Sequence, residues 1–125
     1  MKLISVIVEN NVKAFVRQDL HSPLLSLYAT RMMKIEHKEE KKKGVFFIEE
    51  NGERLAELAY FHSAPNEITI FHTEVSDKLR GEGIGQDLVE AAVGFAREYK
   101  LKVVPTCPYA KKVIDRTPEF QDVLA

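Results

Sequence analysis

The stretch LRGEGIGQDLVEAAVGF, residues 79–95, sets glycine at 81, 83 and 85 immediately before a helical pattern. Glycine weakens helices and loses more freedom on ordering than any other residue. Three of them at one helix start require a bare backbone or an unusual dihedral. Downstream, Leu88, Ala92, Phe95, Ala96 and Tyr99 share one apolar helix face. Gln86, Asp87, Glu90, Arg97, Glu98 and Lys100 fall mostly elsewhere, as a half-buried helix requires. ITIFHTEV (68–75) reads as the strand before the turn, and LKVVPTC (101–107) as the strand after the helix. A strand–helix–strand crossover makes its two strands parallel when they share a sheet.

That crossover sets the glycines between the carboxyl end of a strand and the amino end of a helix. Backbone N–H groups there have no intrahelical partner, and the helix dipole adds partial positive charge. Without side chains in the way, an anion, typically a phosphate, can approach them. Arg80 offers a charge-assisted contact, and Glu82 is expected to point away. A plainer reading stays open: the glycines make a tight turn with close helix–strand packing. Two other phosphate loops fit poorly. The dinucleotide fingerprint needs glycine or alanine where Gln86 stands and an acidic residue after the next strand; a P-loop needs Gly-Lys-Ser/Thr.

Working outward, VFFIEENGERLAELAYF (45–61) holds two β-rich runs around Asn51-Gly52, a strong hairpin signal. SAPNE (63–67) marks a second turn, and MKIEHKEE (33–40) a strand running into the charged turn KKKG (41–44). These predict an antiparallel meander from about residue 34 to 75. Toward the amino terminus, LISVIV (3–8) reads as a short buried strand. Asn10 or Asn11 could cap a helix through Leu20, and Ser22-Pro23 could start another carrying Leu24, Leu27, Tyr28 and Met32. Pro108 opens a last short helix, ended by DRTPEF (115–120).

The chain has 125 residues, enough for one domain with a real core. Its 18 basic and 19 acidic residues leave a net charge of -1, which argues against a protein built to neutralise nucleic-acid phosphates. No apolar run is long enough to span a bilayer, so no membrane partner is expected. MKLISVIVEN lacks the apolar core and cleavage site of a signal peptide. The single cysteine, Cys107, cannot form an internal disulfide, and a cytoplasmic setting is expected. His21, His37 and His62 are scattered without metal-ligand spacing.

Arg80, Gly83 and Gly85 resemble the Q/R-x-x-G-x-G/A signature of the GCN5-related N-acetyltransferases. Segments 44–61, 68–92 and 101–120 together are similar to the small, truncated acetyltransferase-like branch of that superfamily, over about Met33 to Ala125. The resemblance implies an α/β (α+β) fold, a mixed and mostly antiparallel sheet with flanking helices. It also implies acetyl coenzyme A as cosubstrate, lying where the last parallel strand splays from its neighbour. Glu74, Val75, Arg80, Gly81, Gly83, Ile84 and Gly85 become the cofactor-contacting candidates, with the pyrophosphate on the N–H groups of residues 80–85.

Two departures from the wider superfamily bear on function. The usual last hairpin is missing, which leaves the acceptor, a small amine or a protein, undetermined. An incomplete sheet edge could also take a second copy as a homodimer. Residues 1–32 precede the point where the small branch begins; Met33 could be the natural start, but we read 1–32 as a peripheral or augmenting element on a 33–125 domain.

Acetyl transfer from a thioester needs a nucleophile, a route for its proton and donors for the developing oxyanion. Cys107 ends the strand beside the implied thioester channel, where the small branch also carries a cysteine. It could exchange acyl groups if a base or dipole lowered its pKa, or be inert core packing. His72 and Glu74 share one strand face, with Thr73 on the other, and each is a candidate base. The resemblance to larger members of the superfamily implies that Tyr109 could protonate a leaving thiolate. Lys111 and Lys112 could approach the ribose phosphate or form a solvated helix face. The alternative function is a non-catalytic coenzyme A-binding sensor or interaction module.

Overall fold

The protein is described by a computed structural model. It covers residues 34–125 in full and residues 2–9 and 12–18 as strand backbone. Among the described residues, seven strands form one sheet in sequential order: β1 (Lys2–Glu9), β2 (Val12–Gln18), β3 (Lys34–Glu40), β4 (Lys43–Glu50), β5 (Glu53–Ala64), β6 (Glu67–Val75) and β7 (Lys102–Pro105). Every neighbouring pair is antiparallel except β6–β7, which is parallel as the crossover demands. The mixed, mostly antiparallel sheet expected from the sequence is therefore present.

The expected helix through Leu20 is corrected. Residues 12–18 form β2, which pairs with both β1 and β3. Its sequence VKAFVRQ sets Val12, Ala14 and Val16 on alternate positions, the two-residue period of a strand, and sheet neighbours on both sides stabilise that period. The helix expected from Ser22-Pro23 lies outside the described residues.

The Asn51-Gly52 hairpin is confirmed in detail. Glu50 pairs with Glu53, and both central residues have positive φ, 51° and 80°, the type I′ signature. The β5–β6 pairing carries a bulge that the sequence did not announce: Ala59 faces His72 while Tyr60 faces Ile70, leaving Phe71 as the extra residue.

Helix α1 (Ile84–Glu98) packs across one sheet face with Leu88, Ala92, Phe95 and Ala96 buried as expected. Tyr99 is 54% exposed, because it is the C-cap, and its ring leans on Phe95. Asp87, expected outside, is buried in the first turn, where the positive end of the helix dipole favours a carboxylate. The helix closes in a Schellman motif: Leu101 N–H reaches Ala96 O at 2.7 Å and Lys100 N–H reaches Arg97 O at 3.3 Å. Helix α2 (Pro108–Asp115) lies against α1. It is followed by a 3-10 turn, Pro118–Val123, that buries Phe120 and Val123. Leu124 then bridges to Val103 and the Ala125 N–H donates to Val103 O, so the outer edge of β7 is partly occupied by the chain itself.

On the α1 face, Tyr60 lies over Gly44 of the intervening strand β4. A Cβ at residue 44 would sit 2.2 Å from the phenol ring, so only glycine admits it. The Tyr60 hydroxyl donates to Glu39 Oε2 at 2.7 Å, and His62 Nε2 reaches the same oxygen at 2.7 Å. Tyrosine has one proton to give, so His37 Nε2–H must donate to the phenol oxygen, 2.6 Å away. Burial, then Glu39, raises the Tyr60 phenol well above its ordinary value. Burial alone would raise the Glu39 carboxyl, but hydrogen bonds from Tyr60 and His62 bring it below the usual range.

Candidate functional site

The parallel pairing of β6 with β7 runs from Glu67–Lys102 to Ile70–Pro105 and stops. Pro105 has no N–H to continue the ladder. The next two residues converge on one acceptor, with Thr106 N–H and Cys107 N–H both donating to Ile70 O, at 3.0 and 3.1 Å. Pro108 then opens α2, since its missing N–H costs nothing in a first helical turn. Strand β6 continues to Val75 with β5 alone beside it. A gap therefore opens between the tail of β6 and the start of α2.

A cavity of about 330 Å3 occupies this region, lined by Thr73, Val75, residues 79–81 and 83–85, and Tyr109 among others. Val75, Arg80, Gly81, Gly83, Ile84 and Gly85 are thus brought together around one cavity. Glu74 is not: it lines a separate cavity of about 210 Å3 with Arg54, Glu57 and Ser76.

The glycines have different reasons. Gly81 and Gly83 hold positive φ, 81° and 71°, with open space where a side chain would stand. Gly83 is the N-cap of α1 and brings no side-chain acceptor. The first-turn N–H groups of α1 are therefore left for an acceptor from elsewhere. Gly85 is bare for packing: a Cβ there would lie 2.3 Å from the Tyr109 hydroxyl. Not every N–H in 80–85 is on offer, because Arg80 N–H bonds Asp77 O and Glu82 N–H bonds Leu79 O. Ser76 begins the 3-10 turn Asp77–Leu79 by accepting from Lys78 N–H. The exposed Arg80 guanidinium is held by the Asp77 carboxylate.

Cys107 is 7% exposed and sits at the N-cap of α2. Its thiol meets Thr73 Oγ1 at 3.6 Å, and Thr73 in turn lines the cavity. Burial would raise the thiol pKa, but the Ala110 N–H, the Thr73 side chain and the Tyr109 and Thr73 backbones outweigh it, and the net shift is downward. The sulfur makes no cap hydrogen bond of full geometry, so the Ala110 and Tyr109 N–H groups act on it as nearby dipoles.

His72 and Glu74 do share a face, with the imidazole 3.4 Å from Glu74 and 3.7 Å from Glu57. Strand alternation turns that face away from Thr73 and Cys107. The thiol and the two candidate bases are not assembled. Lys111 is engaged by Asp115 one turn along α2. Thr73 was missed as a site residue; alternation set it on the face opposite His72, but the sequence did not tell which of the two faces meets the thiol. The fit of Tyr109 over Gly85 had no sequence signal, because it joins two helix starts in space. Among the described residues no His/Cys/Asp/Glu group could hold a metal, and no helix is long and apolar enough to cross a membrane.

The chain is similar in sequence and fold to known proteins. A family model described as GCN5-related N-acetyl-transferase matches residues 45–123. Protein NATD1 of Xenopus tropicalis is 34% identical over 99 residues, 78% of this chain and 89% of the relative. The human Protein NATD1 is 33% identical over 97 residues, 77% of this chain and 84% of the relative. An NMR structure of a GCN5-like protein from Staphylococcus aureus superposes with a TM-score of 0.58 at 39% identity, covering 71% of this chain and 86% of that one. A ribosomal-protein-alanine N-acetyltransferase from Brucella melitensis shares the fold, with a TM-score of 0.52 at 19% identity over 84% of this chain and 89% of that one.

Proposed function

The chain belongs to the GCN5-related N-acetyltransferase superfamily, and from that premise we propose that it binds acetyl coenzyme A in the cleft between the β6 tail, the glycine turn and Tyr109. The carrying observation is the uncapped start of α1. Gly83 provides a left-handed turn and no competing side chain, so the first-turn N–H groups can take the diphosphate. Gly81, Ile84 and Gly85 form the remaining wall, and Arg80 is a peripheral charge tempered by Asp77. Val75 lies where the gap offers the β6 backbone to the pantetheine amides.

The acetyl group then passes to an amine. In the route through the protein, the Cys107 sulfur attacks the thioester carbonyl carbon. The new C–S bond forms as the bond to coenzyme A breaks, and the thiol proton ends on the departing sulfur. The amine next attacks the acetyl-cysteine, an amide forms, and one amine proton returns to Cys107. The lowered thiol pKa supports this route. His72 and Glu74 are on the other face and serve better as a contact for an incoming amine than as a base for Cys107.

Titration with acetyl coenzyme A followed by intact mass measurement tests both parts. Micromolar binding and one added acetyl group, lost in Cys107→Ala, are expected. An adduct that persists in Cys107→Ala removes the cysteine route, and absence of binding removes the whole reading. The separation of the thiol from His72 and Glu74 favours a second reading, a coenzyme A-binding module without turnover. Binding with neither adduct nor amine acetylation would select it.

A further inference from the structure

We propose that Thr73 is a positioning residue for the Cys107 sulfur, a role that rests on the reading of Cys107 as the acyl carrier. Strands β6 and β7 end at different levels. Strand β7 ends at Pro105 opposite Ile70, whereas β6 runs five residues further, to Val75. The bulge at Phe71 resets the alternation of β6, and the next side chain presented to the α2 side is Thr73. Cys107 arrives from the other wall of the gap, fixed by its own N–H to Ile70 O at 3.1 Å. The two side chains therefore meet across the gap at 3.6 Å, where the Ala110 and Tyr109 N–H groups of α2 also lie near the sulfur.

The hydroxyl can serve both protonation states of the sulfur. It accepts from the thiol and, after rotation about its C–O bond, donates to the thiolate. The second contact is the stronger because the acceptor is charged. Thr73 also lines the cavity, so its hydroxyl touches the sulfur from the cavity wall and sets the rotamer from which the sulfur must approach. Threonine suits this task because its β-branch restricts χ1.

The other titratable groups near this wall do not substitute for it. Tyr109 follows on α2 and packs over Gly85. Lys111 is paired with Asp115. His72 and Glu74 on β6 face the opposite side. On α1, Asp87 is buried in the first turn, at the positive end of that helix.

The chain has one cysteine, so its titration can be read without ambiguity. Protein labelled at cysteine is titrated with pH while the Cβ chemical shift is followed, in wild type, Thr73→Val and Thr73→Ser. Valine keeps the branched shape and removes the hydroxyl; serine restores the hydroxyl. The midpoint is expected to rise by about one unit in Thr73→Val, the scale of one hydrogen bond to a charged group. In Thr73→Ser it should return to the wild-type value. A Thr73→Val midpoint equal to wild type overturns the proposal, and so does a Thr73→Ser midpoint displaced as far as that of valine. The intact-mass assay with acetyl coenzyme A is independent of this titration. A missing adduct beside a displaced valine midpoint defeats the acyl-carrier reading alone, and an adduct beside unmoved midpoints defeats the Thr73 role alone.

Discussion

The two ends of the sheet handle polar groups in opposite ways. Toward the Lys41–Lys42 turn, His37, Tyr60, Glu39 and His62 form a closed chain in which the Tyr60 hydroxyl has an acceptor and a donor, and the ring is fully buried over Gly44. At the other end, past Val75, α1 begins on a left-handed glycine with no side-chain cap beside an open cavity. Buried polar groups stabilise when every partner is present, and cost when one is missing. The first end spends its polar groups on holding β3 to β5. The second keeps backbone donors in reserve, which is what an anion site needs.

Substitutions can break this contrast at either end. The largest effect is expected from Gly44→Ala, whose Cβ would meet the buried Tyr60 ring. A loss of about 3 kcal/mol in urea denaturation is expected, at the upper end for overpacking. A variant as stable as wild type would mean that Tyr60 does not cross the sheet there. Gly83→Asp attacks the open end instead. Coenzyme A affinity by calorimetry should fall about a hundredfold, or about 2.7 kcal/mol, with about 1 kcal/mol of stability lost to the left-handed backbone. Unchanged affinity in this folded variant would detach the glycine turn from the ligand.

Acid titration sharpens the closed end. Glu39 has a folded-state pKa below its ordinary value. Through that window the unfolded chain binds more protons, so stability rises with pH. The contribution is complete above the unfolded carboxylate pKa and disappears as pH falls through the folded one. Glu39 is partly exposed, so solvent screening keeps the contribution small. Thermal melts of wild type should fall more steeply than those of Glu39→Gln as pH drops from about 5 to about 3. Parallel curves would show that the carboxylate is not the acid-sensitive member. The smallest effect is expected from Arg80→Ala. Its guanidinium is exposed and shared with Asp77, so coenzyme A affinity should weaken about threefold, and less at high salt.

The open end was the more legible in sequence, because its devices are local. Asn51-Gly52, the alternating glycines and the helix period after Gly85 each act within a few residues. The closed end depends on register between distant strands: nothing near Gly44 says that Tyr60, 16 positions on, will lie across it. The bulge at Phe71 was hidden for the same reason, since a strand shows its own alternation but not its partner's. Residues 12–18 were misread because a short apolar run satisfies helix and strand periods alike, and pairing with β1 and β3 decides between them. Cys107 and the loop glycines were readable as candidates. That Thr73, and not His72, meets the thiol depends on where β7 stops.

The fit of Tyr109 over Gly85 has an evolutionary reading. Positions 85 and 109 are coupled, because a side chain at 85 would meet the ring at 109 where it now stands. Alanine at 85 is accommodated once the half-exposed ring is trimmed or turned outward, so substitutions at the two positions should show epistasis. A lineage that lost the aromatic would be released from glycine at one position of the loop while still bound to it at Gly81 and Gly83, where backbone handedness rather than crowding sets the constraint.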